Sequence, residues 1–335
     1  MSGGCRAARV QVPRRGAAIL LAMMVLTLVA AVAAGMVWSQ ESAVRIEAAE
    51  RTRTQGEWML EGALDWARLI LREDLRADRE RQHGSNPRPL VDSLGETWAN
   101  PLAEARLSSF LAADKDNSAD ASLDVFLSGA ISDAQARWNL RNLVGTDGKL
   151  DSMQLAALRR LVDEAGAPAD TADRLADALL AAWAPANSDA RRVAPLAPQR
   201  LADLAWLGFD ATTLARLAPL VTLLPVRTPV NVNTADPEVL VAAIDGLDLG
   251  TAERIVQARK RKSLAALDSL EEVKSLLPPT LEVRPDRVSV STRWFQVQGR
   301  LRMEDRVFEE RSLVERTDND VVVRQRERIH TVEGG

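Results

Sequence analysis

Cysteine is nearly missing from this chain. The single thiol, Cys5, precedes the first hydrophobic stretch, so the body forms no internal disulfide and no thiolate metal site. Its stability must come from packing. A lipoprotein reading of Cys5 is disfavoured because Ser2-Gly3-Gly4 supplies no apolar run ahead of it. Histidine is limited to His83 and His330, both in polar surroundings and neither in a Gly-rich nucleophile turn or a metal-ligand spacing. Tyrosine is absent. Carboxylates are plentiful, yet no spacing singles out an acid and base pair, so the chain is not expected to be an enzyme and no cofactor is expected.

What is present begins with the first forty residues. A chain of 335 residues exceeds one ordinary domain and suits a membrane segment plus two or three small folded units. Residues 1–15 carry Arg6, Arg9, Arg14 and Arg15 and no acid, and Gly16 to Gln40 carry no charge. Ala17 to Trp38 is long enough, at about 1.5 Å per residue, to cross a hydrocarbon core of about 30 Å. With arginines on the N-terminal side only, the N terminus is expected in the cytoplasm and the body in the periplasm. Three readings compete: a cleavable signal peptide using Ala31-Val32-Ala33, a plain signal anchor, and a type III leader cut after a glycine that follows basic residues, which Arg14-Arg15-Gly16-Ala17 fits.

The continuation favours the third reading. No proline occurs from Glu41 to Arg81, and Met59, Ala63, Trp66 and Ile70 form one apolar stripe beside a second made of Leu60, Leu64, Ala67, Leu71 and Leu75. One helix is predicted from about Ala17 to about Arg81, half in the membrane and half packed on a globular domain. The first stripe is expected to be covered by the protein's own sheet.

Arg15-Gly16-Ala17-Ala18-Ile19-Leu20-Leu21, Arg51-Thr52 and Glu61-Gly62-Ala63-Leu64-Asp65-Trp66-Ala67 resemble the start of the protein K family of type II secretion minor pseudopilins. So does Ile131-Ser132-Asp133-Ala134-Gln135-Ala136-Arg137-Trp138-Asn139-Leu140-Arg141-Asn142-Leu143, with Arg141 where the family tends to have Asn. Pro195 to Leu201 and Thr228-Pro229-Val230-Asn231-Val232-Asn233-Thr234-Ala235 resemble that family's SAM-like helical domain. The resemblance implies prepilin peptidase cleavage between Gly16 and Ala17. It implies a place at the pseudopilus tip with minor pseudopilins of the I and J types, above the major pseudopilin, starting assembly from the inner membrane. Pilins usually carry a Glu at the fifth mature position, which pairs with a neighbour's amine; here that residue is Leu21. The same leader would also serve a type IV pilus minor pilin.

The fold expected is α+β: a pilin-like long helix on an antiparallel sheet, with a large all-α insertion. The leader is 1–16, the membrane helix 17–38, the pilin-like domain 39–145 and 282–332, and the helical domain 146–281. Leu123 to Leu127 alternates as a strand, Ser128-Gly129 reads as a turn, and Ile131 to Leu140 as the returning strand of a hairpin. Asn139 and Asn142 are expected to cap the turn into the next helix. Breaks are predicted at Gly166 to Pro168, Ala184 to Asn187, Gly208 and Leu224-Pro225. Arg287 to Leu301, Met303 to Glu315 and Val321 to Ile329 supply the last strands, with Asp318-Asn319-Asp320 as a turn.

Asn231 to Val273 also resembles helix-hairpin-helix modules that hold DNA backbones, which makes a membrane-anchored DNA-binding protein a further alternative. Against it, Asp245 and Asp248 stand where phosphate would sit, and the basic run Arg254, Arg259, Lys260, Arg261, Lys262 reads as a solvated face. Removing the four leader arginines leaves 39 basic against 47 acidic residues, near −8, so no nucleic acid partner is expected. A divalent cation has no supporting motif, although Asp114-Lys115-Asp116-Asn117, Asp147 and Asp318-Asn319-Asp320 are oxygen-rich turns.

Overall fold

The computed structural model describes residues 15–83, 90–107, 124–184, 194–261, 266–303 and 306–332. The chain divides into two compact units, one reaching residue 58 and the other starting at residue 59.

The first unit is helical. Helix α1 runs from Arg15 to His83 and is free of proline throughout. Every residue from Ala17 to Ala48 is exposed, which for the apolar run Ala17 to Trp38 is stable only in contact with lipid or with other apolar helices. Beyond it the exposed helix carries i,i+4 pairs, Glu41 with Arg45 and Glu47 with Arg51, each adding a few tenths of a kcal/mol to helix stability.

In the second unit α1 buries one face. Leu60, Leu64, Ala67, Leu71 and Leu75 are buried at a 3.6-residue period. They pack in two clusters, Leu64, Ala67 and Leu71 with Trp98, Phe295 and Val314, and Leu60 with Leu127, Leu301 and Phe308. Full burial of a leucine such as Leu71 contributes about 2 kcal/mol. The stripe expected to be covered by the sheet is covered only in part: Met59, Ala63 and Ile70 are half-buried and pack against the edges of these clusters, and Trp66 keeps 48% of its surface exposed. The helix meets the sheet along the leucine stripe, and the neighbouring stripe is turned to its flank.

The sheet has five antiparallel strands in the order β1-β2-β7-β8-β9. They are β1 Leu102–Arg106, β2 Val125–Asp133, β7 Trp294–Met303, β8 Arg306–Arg316 and β9 Val321–Val332. On β7, Phe295, Val297, Leu301 and Met303 are buried while Gln298 and Arg300 are exposed, the period-2 pattern of a half-covered strand. The hairpin expected around Ser128-Gly129 does not form. Strand β2 runs straight through both residues and pairs with β7, Gly129 opposite Gly299. A Cβ on Gly129 would come 2.8 Å from the Gln298 carbonyl oxygen, so the glycine serves close strand approach and not a turn.

Between β2 and β7 the chain forms the helical part. It contains α2 Ser152–Glu164, α3 Thr171–Ala182, α4 Ala211–Leu217, α5 Pro237–Ala243, α6 Leu249–Arg261 and α7 Leu270–Ser275. Asp151 caps α2 by accepting from the Met153 and Gln154 amides, and Asp210 and Ser269 cap α4 and α7. The predicted breaks at Gly166, Gly208 and Leu224-Pro225 fall between elements, while Pro185 to Asn187 lie outside the described residues. Two parallel two-residue pairs were not foreseen: β3 Trp138–Asn139 with β4 Val221–Thr222, and β5 Val230–Asn231 with β6 Val288–Ser289. The helical core extends from Trp138 to Val288, wider than 146–281 on both sides because these short pairs close it.

Candidate functional site

The anchor segment is built by composition alone. Gly16, Ala17 and Leu21 all lie within α1, and Leu21 is 65% exposed in a run without a charged group before Glu41. A helix of this length and apolarity is able to cross a membrane once.

A buried polar junction joins the sheet to the helical part. Asp133, at the end of β2, is fully enclosed; its Oδ1 accepts from the Gln135 amide at 2.7 Å and its Oδ2 from Asn231 Nδ2 at 2.9 Å and Thr234 Oγ1 at 2.6 Å. Burial holds the Asp133 carboxyl up at about 6, opposed by the hydrogen bonds from Thr234 and Asn231. Gln135 donates to the Pro229 carbonyl at 3.0 Å and accepts from the Arg293 amide at 2.9 Å. Asn139 caps the short turn after it by accepting from the Arg141 amide, as expected, and also donates to the Val226 carbonyl at 2.7 Å. Asn142 has a different task from the one expected. It pairs both ways with the Thr228 backbone, at 2.9 and 3.0 Å. The two stretches that carry the family resemblance, residues 131–143 and 228–235, are therefore mutual hydrogen-bond partners across the junction.

Asn231 Nδ2 also donates to the Asp92 carbonyl at 3.0 Å, which carries the network to a second group. Asp92 accepts from the Thr292 amide at 2.7 Å and from Arg316 at 2.5 Å, and Arg316 reaches Asp74 on α1 at 3.0 Å. Arg316 lies over the Phe295 ring with its guanidinium carbon 5.0 Å from the centroid. Asp74, Asp92, Glu96 and Arg316 had no signal in the sequence, because they stand in three separate segments, α1, the stretch holding Asp92 and Glu96, and β8, and only the fold brings them together.

The helix-hairpin-helix stretch is occupied by its own side chains. Asp245 forms ion pairs with Arg160, at 2.8 Å, and with Arg287. Asp248 accepts from the Thr251 amide and hydroxyl at 2.9 and 2.7 Å, opening α6. Gly246 takes a positive φ of 78° between them. The basic run is not wholly solvated as expected: Arg259 is buried and donates to the Val232 and Ala235 carbonyls at 2.6 and 2.8 Å. Lys260 and Arg261 are exposed, and Lys262 lies outside the described residues. Of the oxygen-rich turns, Asp147 accepts from the Lys149 amide and Asp320 pairs with Arg72, while Asp114 to Asn117 lie outside the described residues.

With this geometry in hand, likeness to known proteins decides the family. Two models of type II secretion system protein K match residues 136–226 and 230–291, the span that feeds the helical core. A type II secretion system protein K from Pseudomonas aeruginosa is 30% identical over 309 residues, covering 88% of this chain and 86% of that protein. The chain belongs to the type II secretion system protein K family. A second protein K, from Pectobacterium carotovorum subsp. carotovorum, is 26% identical across 94% of this chain and 96% of its own length. The fold also matches a chain in a solved GspK-GspI-GspJ complex from enterotoxigenic Escherichia coli, with a TM-score of 0.51 and 18% identity over 84% of this chain and 100% of that one. As a member of the protein K family the chain is a minor pseudopilin of type II secretion, and its α+β pilin-like fold with a helical part between β2 and β7 agrees with that.

Proposed function

We propose that this minor pseudopilin occupies the tip of the pseudopilus and helps start its assembly. The observation that carries the reading is Leu21. If the leader is cut after Gly16, Leu21 is the fifth mature residue, and the exposed apolar run around it contains no carboxylate. A carboxylate at that depth is costly unless it meets a partner charge, and that pairing is what draws a pilin helix beneath the subunit above it. Without it, the chain has no group to dock under a neighbour, while the amine of Ala17 remains able to receive the Glu of a subunit below. The helical part between β2 and β7 supports the same placement, since a terminal subunit need not fit a repeating lattice.

In this reading prepilin peptidase matures the chain at the cytoplasmic face, residues 17–38 cross the inner membrane once with the N terminus inside, and the body stands in the periplasm. Minor pseudopilins of the I and J types and the major pseudopilin are its partners. The absence of a built nucleophile and base pair in the sequence supports a role by assembly. The complex named for the structural relative supports the choice of partners.

Mass spectrometry of the mature membrane form tests the leader. The expected N terminus is Ala17, and Gly16→Ala should leave the precursor largely uncut because a side chain then enters beside the scissile bond. A product that begins after Ala33, stripped of the apolar helix, would defeat the pilin reading.

A further inference from the structure

Where the helical part begins, the chain passes through a short 3-10 turn, Leu140–Leu143, in which Leu140, Asn142 and Leu143 are buried. Arg141 is the member of that turn left half-buried at the surface. Asn142 fastens the turn to Thr228, donating to its carbonyl at 2.9 Å and accepting from its amide at 3.0 Å. The residues just before that pair, Arg141 and Arg227, are thereby held as neighbours of like charge.

The charges at this place do not balance. Arg227 reaches the Asp151 carboxylate at 3.3 Å, and the same carboxylate caps α2 through the Met153 and Gln154 amides. Among the described residues no acid pairs with Arg141, and its Nη1 is buried without a hydrogen-bond partner. A buried guanidinium nitrogen with no acceptor is unfavourable. Burial first, and then the charge of Arg227, lower the Arg141 pKa from its ordinary value. The contact Arg141 does make is with Trp183, which follows α3: its guanidinium carbon stands 4.3 Å from the centroid of that ring. Stacking fixes the plane of the guanidinium and covers one face, but supplies no acceptor.

We propose that Arg141, held against Trp183 with Arg227 beside it, docks a carboxylate side chain from an acidic segment of another protein. Two guanidinium groups against the one carboxylate of Asp151 leave a single positive charge, which one carboxylate matches. A fixed planar guanidinium presents parallel N–H groups to a planar acceptor, the geometry of bidentate carboxylate recognition. Val226, 51% exposed and next to Arg227, offers apolar contact for a side chain flanking the incoming acid. A tryptophan and an arginine packed together are also the residue types that anchor protein interfaces.

The test uses the full-length chain in detergent micelles and a fluorescein-labelled peptide of alternating glutamate and valine, with binding followed by fluorescence anisotropy at physiological salt. The glutamate peptide should bind, and the same peptide carrying glutamine in place of glutamate should bind roughly tenfold more weakly. Arg141→Gln should lower affinity about fivefold or more, and Arg141→Lys, which keeps the charge without the planar fork, should lose most of it as well. Arg311→Gln, on β8 where the arginine pairs with Glu309, should leave affinity unchanged. Unfolding temperatures measured alongside identify the variants that are folded. No binding of the glutamate peptide by the wild-type chain would overturn the site whether or not any variant folds, as would equal binding of the glutamine peptide or unchanged affinity in folded Arg141→Gln. Inorganic phosphate competing as effectively as the unlabelled peptide would mean general attraction to positive charge and would also overturn it. None of these outcomes depends on the tip placement.

Discussion

Asn231 shows how one side chain ties a distant pair of segments. Its amide nitrogen donates to both the Asp133 carboxylate and the Asp92 carbonyl, all inside a region closed to water. Asn231→Ala removes donors from two buried acceptors at once, and should cost about 2–4 kcal/mol in urea unfolding. Asn319→Ala, in the Asp318-Asn319-Asp320 turn, should cost under about 0.5 kcal/mol. Glu96 makes a pH-dependent contribution with a definite sign. Its carboxyl is held up at about 8, above the ordinary 4.5, chiefly by burial. The folded state thus binds a proton that the unfolded state has released, and stability should fall as pH rises from about 4.5 to about 8. Unfolding midpoints measured without divalent ions across that range should decline, and Glu96→Gln should flatten the slope; an identical slope in the variant would remove Glu96 as its source.

The elements separate into those whose pattern is local and those whose position is set from afar. Helix α1 buries its leucine stripe, so Leu71→Ala should cost about 2–5 kcal/mol, whereas Trp66→Ala, at a half-exposed position, should cost under about 1.5 kcal/mol. Chemical denaturation of the two variants compares them directly, and a larger loss for Trp66 would reverse the assignment of the buried face. The existence and length of α1 were legible in the absence of proline and the continuous 3.6-residue pattern. Which of two adjacent stripes meets the sheet was not, since both are apolar and only the fit against Phe295 and Leu301 selects between them. The same limit explains Gly129. A Ser-Gly pair reads locally as a turn, and its true reason is the backbone of a strand 170 residues away. Strands β7 to β9 were visible from their alternation, but the acidic group around Arg316 was invisible, because no spacing along the chain links α1 and β8 to the stretch holding Asp92 and Glu96.

For the molecule as a whole, charge and architecture point the same way. The body is acidic, Asp245 and Asp248 fill the hairpin that would hold a phosphate, and Arg259 is committed to two carbonyls inside the core. A gel shift at physiological salt should therefore show no retained DNA; submicromolar binding with a steep salt dependence would restore the helix-hairpin-helix alternative. What remains is an apolar helix long enough to cross a membrane, a pilin-like sheet packed on the leucine stripe of α1 from Leu60 onward, and a helical part tied to that sheet by the network of Asp133, Gln135 and Asn231. In the tip placement proposed above, this chain joins other minor pseudopilins one-sidedly, from the top. Light scattering of the detergent-solubilised chain, purified together with co-expressed minor pseudopilins of the I and J types, measures this most directly. A single small complex containing one copy of this chain is the predicted result, and self-assembly into a homopolymer, or no association with those partners, would contradict it.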